Sequence, residues 1–176
     1  FDLTTPTPLK SEFDPVRPDA IPNSAGIIQS LVTAYVANPN AAQFADSTNT
    51  PYYGPIKYWD VRNITTGMTN AFDGQTTVND DISIWETGNV TSMNSMFKGA
   101  SIFNQDISPW DVSNVTDMTD MFLNASAFDQ NINGWTLTSL TTMVNMFQNA
   151  IAFNQSLNSW NVSGVSDMTN VFNGAT

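Results

Sequence analysis

A chain of 176 residues with 41% hydrophobic content fits one domain and carries enough apolar mass for a core. With 16 acidic against 5 basic residues and a net charge of -11, it repels phosphate backbones and anionic headgroups, which excludes nucleic-acid binding. It has no His and no Cys, and that removes disulfides, thiolate nucleophiles, the usual zinc and copper sites, and hydrolase triads built on imidazole.

Residues 1–24 hold Pro6, Pro8, Pro15, Pro18 and Pro22, a density that blocks helix and predicts an extended, polyproline-like arm bearing Phe1, Leu3, Leu9 and Phe13. Residues 25–55 read as a capping helix and a loop. Ile27, Ile28, Leu31, Val32, Tyr35 and Val36 recur at helical spacing after Ser24, and Asn38-Pro39 ends the pattern. The most apolar stretch, 26–37, is too short to span a bilayer, so no membrane insertion is expected.

Residues 56–176 repeat themselves. Trp85, Trp110, Trp135 and Trp160 stand 25 residues apart, as do Phe97, Phe122 and Phe147, and Met93, Met118 and Met143. At this period each unit is one supersecondary piece that cannot bury its apolar face alone and must stack on its neighbours. The fold class expected is an α/β repeat, a leucine-rich-repeat-like solenoid of about five 25-residue units. In each unit, a segment such as 103–110, 128–135 or 153–160 supplies a short strand, with Asn104, Asp129 and Asn154 and their Gln neighbours in register. The second half supplies a short helix: Thr91, Thr116, Thr141 and Ser166 precede apolar residues at i+2, i+5 and i+6. Gly74, Gly99, Asn124, Asn149 and Gly174, two residues after each Phe, read as helix C-caps because Gly and Asn tolerate the left-handed conformation. The first unit departs from the pattern, with one extra residue between Trp59 and Met68 and Val78 in place of the strand Phe.

Acid pairs such as Asp80/Asp81, Asp106/Asp111 and Asp117/Asp120 recur with the repeat, which makes them solvated or capping carboxylates in preference to an acid-base pair. No catalytic residue and no cofactor are expected; calcium on Asp106, Asp111 and Asp129 is a lesser alternative. Asn63, Asn89, Asn114, Asn124, Asn154 and Asn161 begin Asn-x-Ser/Thr sequons and read as turn chemistry first and as glycosylation sites second. The Trp column reads as core first and as a sugar-stacking platform second.

Trp110-Asp-Val-Ser-Asn-Val-Thr-Asp-Met118 with Met121-Phe122 resembles the Mycoplasma-type surface-lipoprotein repeats, a family grouped with the BspA-like leucine-rich-repeat surface proteins. The similarity covers about 56–176. It implies a leucine-rich-repeat-like solenoid, placement outside the cell or on its surface, and a role in adhesion or protein interaction, with no catalytic residue. The lipobox Cys and sorting signal of the bacterial surface members are missing from the sequence, so nothing supports an anchor.

Two functions follow as expectations. The first is a non-catalytic adhesion or protein-interaction module that meets a protein or glycan through positions that vary between copies: Ser83/Ser108/Asn133/Asn158, Ile84/Pro109/Gly134/Ser159 and Lys98/Leu123/Gln148/Asn173. The second is a self-assembling subunit of an extracellular filament or coat. It uses the arm residues Phe1, Leu3, Leu9 and Phe13 against the array's last face, which follows no closing polar element at Thr176. Phe1 at the start, in place of Met, suits a processed chain.

Overall fold

The computed structural model describes residues 19–24, 26–45 and 51–175; the arm residues Phe1, Leu3, Leu9 and Phe13 lie outside them. Helix α1, Ile27–Ala37, forms where the apolar spacing places it and buries Ile28, Leu31 and Val32. It starts at Gly26 (φ 73) without a side-chain cap, and the Asn38 N–H closes its last turn on the Ala34 carbonyl at 3.0 Å. A second short helix, α2 (Ala42–Ala45), lies in the region expected as a loop, and a 3-10 turn (Ile56–Tyr58) opens the region expected as repeat. Tyr35 of α1 meets Phe44 and Trp59 edge-on at 5.4 and 5.8 Å, and Phe44 lies nearly flat on Trp59 at 5.9 Å. The two helices thereby cover the first repeat unit, and the Ile21 N–H adds a bond to the Asp60 carbonyl at 2.9 Å.

Five turn-built coils follow, with their cores at 59–74, 85–99, 110–124, 135–149 and 160–174. Each places the same side chains at the same height. Phe97 and Phe122 stack at 5.5 Å, as do Phe122 and Phe147, and Phe147 and Phe172. Met93, Met118, Phe97, Phe122 and Phe147 are fully buried, and Met143 nearly so.

The expected α/β leucine-rich-repeat-like solenoid, with a strand and a helix in every unit, is not what forms. Among the described residues the coils contain neither α-helix nor sheet, only turns and isolated parallel bridges linking Ser92, Asp117, Thr142 and Asp167. The reason is spacing. An α-helix with its side chains is about 10 Å across, whereas the Phe column advances 5.5 Å per coil, so helices stacked at this interval would collide. The Met and Phe positions that suggested a helical stripe lie on overlapping turns, in which the N–H groups of Met96, Lys98 and Ala100 bond back to Met93, Ser95 and Phe97. Alternate N–H groups leave the coil: Met93, Ser95, Phe97 and Gly99 donate to Asp117, Thr119, Met121 and Leu123 of the next coil at 2.8 to 2.9 Å.

The residues expected as helix C-caps, Gly74, Gly99, Asn124, Asn149 and Gly174, do adopt left-handed φ, from 58 to 77, but each closes a turn and not a helix. A second left-handed column, Asn70, Ser95, Asp120, Asn145 and Asn170, stands four residues earlier.

The segments expected as strands do not form a backbone ladder. Side chains hold them in register instead: the Asp129 N–H donates to Asn104 Oδ1 and the Asn154 N–H to Asp129 Oδ1, each at 2.9 Å. Gln130 and Gln155 donate to those same two oxygens at 2.9 Å. An amide or carboxylate oxygen here accepts the bonds that a neighbouring strand's carbonyl would have taken.

Candidate interaction face

Each Trp enters the stack as an inward residue, and its neighbours on either side are exposed except for Asp60, whose side chain is 11% exposed. Trp85, Trp110 and Trp135 are each 3% exposed and Trp160 is half-buried. Their indole N–H groups donate to Ile56, Ile82, Ile107 and Ile132 carbonyls of the preceding coil at 2.9 to 3.2 Å. The Trp column is core, and the buried ring faces offer no platform for a sugar.

The outward residue before each Trp forms a column of its own: Tyr58, Ile84, Pro109, Gly134 and Ser159, all exposed. Tyr58 and Ile84 are 55% and 54% exposed, large apolar side chains left in water beside a fully packed core. The residue after each Trp gives Asp60, Glu86 and Asp111 in the first three coils, then Thr136 and Asn161. Four residues before the Trp of the second to fifth coils stand Asp81, Asp106, Asn131 and Ser156. Two acidic positions thus flank the apolar one along the chain, and both lose their charge at the fourth coil.

Arg62 pairs with Asp60 at 2.6 Å, and Lys57 pairs with Asp81. The Asp81 carboxyl is held well below the usual carboxylate range by hydrogen bonds from Lys57 and Ser83, and Lys57 is raised in turn by Asp81. Ser113 lowers Asp111 in the same way. Among the described residues Glu86, Asp106 and Asp111 have no cationic partner.

Where the charge ends, a groove of about 520 Å³ opens between the fourth and fifth coils, lined among others by Gly134, Leu137, Ser159, Asn161 and Gly164. In earlier coils an Asn fills this place and ties the coils together: Asn89 donates to the Arg62 carbonyl at 2.9 Å and Asn114 to the Gly88 carbonyl at 2.7 Å. Ser139 and Gly164 stand at the corresponding positions and are too short to do so.

The other residues singled out by sequence are scattered along the stack. All six sequon residues, Asn63, Asn89, Asn114, Asn124, Asn154 and Asn161, are exposed. The amides of Asn89 and Asn114 are already bonded to backbone as above, and Asn124 Oδ1 accepts from Asn149 at 2.9 Å. Asp106 and Asp117 cap the N–H groups of Ser108 and Thr119, and Asp120 receives Lys98 at 3.0 Å and Asn145 at 2.9 Å. No three acids gather among the described residues into a group that could hold a metal, so Asp106, Asp111 and Asp129 do not converge as calcium ligands. Of the outward column, sequence variation pointed to Ile84, Pro109, Gly134 and Ser159 but missed Tyr58; alternation about the Trp was the signal that would have found it.

The family model described as Mycoplasma protein of unknown function, DUF285, matches residues 40–150 and 66–176. The chain belongs to this family. No curated protein and no solved structure matches it. DUF285 membership agrees with the Mycoplasma-type repeat resemblance at the level of the family and names no activity.

Proposed function

We propose that this DUF285 protein is a non-catalytic adhesion or protein-interaction module of the extracellular space or cell surface, and that the outward face of its first three coils is the contact surface. One observation carries this reading: Tyr58 and Ile84, both more than half exposed, hold the same place before the Trp as Pro109 in the next coil, whereas the exposed Ile102 and Ile151 stand at different places in their units. Large apolar side chains held at the surface by a rigid frame are the common mark of a binding site. The BspA-like surface grouping of similar repeats and the acidic, Lys-poor composition support placement outside the cell. The test is binding of the purified chain to arrays of extracellular-matrix proteins and of glycans, beside the double variant Tyr58→Ser/Ile84→Ser. Partners retained by the intact chain and lost by the variant are the expected result. A variant that keeps every partner would sink the reading.

A further inference from the structure

The face just described has a composition that selects a class of partner. Along the chain Asp81 and Asp106 stand three residues before Ile84 and Pro109, and Glu86 and Asp111 two residues after them, and Tyr58 holds the corresponding position before Trp59 in the first coil. In the first coil Lys57 and Arg62 already neutralise Asp81 and Asp60. The exposed carboxylates without a cationic partner among the described residues, Glu86, Asp106 and Asp111, are each within three positions of Ile84 or Pro109 in the chain. The chain as a whole carries a net charge of -11, so the long-range field reinforces the local one and draws cations toward this face.

The stripe is narrow and straight. Trp rings directly beneath it repeat at 6.1 and 6.2 Å from the first coil to the third, so the three coils span about the length of four residues of extended chain at ~3.3 Å per residue. A folded domain would touch only its edge, whereas an extended segment lying along it places side chains on each coil in turn.

We propose that Tyr58, Ile84 and Pro109, framed by Glu86, Asp106 and Asp111, bind an extended polypeptide segment in which apolar residues alternate with Lys or Arg. Alternate side chains of an extended segment face opposite ways, so the apolar ones cover Ile84 and Tyr58 while the long Lys or Arg stems start from the outer face and curve back past the segment's edges to the carboxylates. The segment ends where the face turns neutral, at Gly134 and Thr136.

This assignment rests on the interaction reading above, and the experiment separates the two. Three labelled peptides are titrated by fluorescence anisotropy: Lys-Leu-Lys-Pro-Lys-Leu-Lys, its Glu counterpart and its Ser counterpart. The proteins are the intact chain, Ile84→Ser, Glu86→Gln, and Asp73→Asn as a control of equal charge change in the opposite half of the first coil. Since Ile84 and Glu86 are exposed, both variants keep the fold, which their melting temperatures check. The expected result is binding of the Lys peptide alone, weakened about 3- to 10-fold by Ile84→Ser and by Glu86→Gln, and less than about 2-fold by Asp73→Asn. If the Ser peptide binds as well as the Lys peptide and Ile84→Ser still weakens it, the face stands as a binding surface and the cationic class is wrong. If no peptide binds, or if Asp73→Asn weakens binding as much as Glu86→Gln while Ile84→Ser changes nothing, the attraction is diffuse charge and both the assignment and the face are overturned.

Discussion

Trp110 donates its indole N–H to the Ile82 carbonyl in the preceding coil at 3.1 Å, and the same carbonyl accepts the Trp85 N–H at 3.2 Å. One oxygen thus closes a turn in its own coil and ties that coil to the next. Indole is suited to this because it joins a large apolar body to a single donor at its edge.

Replacing Trp110 by Phe keeps an aromatic ring but removes the donor and leaves Ile82 with one of its two bonds. We expect a loss of about 1 to 2 kcal/mol in unfolding free energy, read by urea denaturation. Trp160→Phe, at a half-buried site with the corresponding bond to Ile132 at 3.1 Å, should cost less. Equal losses would show that volume alone, and not the buried bond, accounts for the effect.

Gly99 has φ 69, and a Cβ placed there would find only ordinary contacts at 3.7 and 3.8 Å from Gly74. Backbone strain is then the whole penalty for Gly99→Ala, about 1 to 2 kcal/mol. Asn occupies the equivalent positions 124 and 149 with φ 60 and 58, so Gly99→Asn should cost clearly less. Thermal melts of the two variants rank them directly.

Gly164→Asn is expected to stabilise. Gly164 is not left-handed, and a Cβ added there would lie 3.7 Å from the Leu140 carbonyl, an ordinary contact. An Asn amide in this register reaches the Thr138 carbonyl, as Asn114 reaches Gly88. The gain should be about 0.5 to 1.5 kcal/mol, from one hydrogen bond and a less flexible unfolded chain. It would also fill the groove beside Leu137. A lower melting temperature would mean that the fifth coil does not follow the register of the third.

Asp81 gives a pH test. Its folded-state pKa lies below the ordinary carboxylate value because Lys57 and Ser83 bond the charged form. Its stabilising share is therefore complete above about pH 4 and is lost as pH falls through the depressed value. The melting-temperature gap between the intact chain and Asp81→Asn should be constant from about pH 5 to 8 and close toward pH 2. A gap that persists in acid would assign the effect to packing.

The period and the core were legible because stacked units must repeat every buried side chain: Trp85, Phe97 and Met93 announce their columns without help from any other residue. Helix α1 was legible for the same reason, its apolar stripe being long enough to have a period. Secondary structure inside the coils was not. Met93, Met96 and Phe97 fit a helical spacing as well as they fit three overlapping turns, and only the 5.5 Å advance of the Phe column decides between the two. Gly99 and Asn124 revealed a left-handed position; the second such column, Asn70, Ser95, Asp120, Asn145 and Asn170, carries Asn or Asp at every place but Ser95, a residue type without that preference, and contains no Gly to mark it. The outward face was half legible. Variation marked Ile84 and Pro109, but which variable residues stand beside one another depends on the direction of each side chain from the Trp.

The hydrogen bonds between coils also give the stack a sign. In each of the first four coils four N–H groups point toward the next coil, and in the opposite direction run only one or two backbone bonds, such as those of Thr116, Thr141 and Ser166. The peptide dipoles therefore add along the axis as they do in a helix, with the positive pole at the fifth coil. Any coil that continues the stack in this register meets the N–H groups of Met168, Asn170, Phe172 and Gly174 with its carbonyls, as each coil meets the one before it.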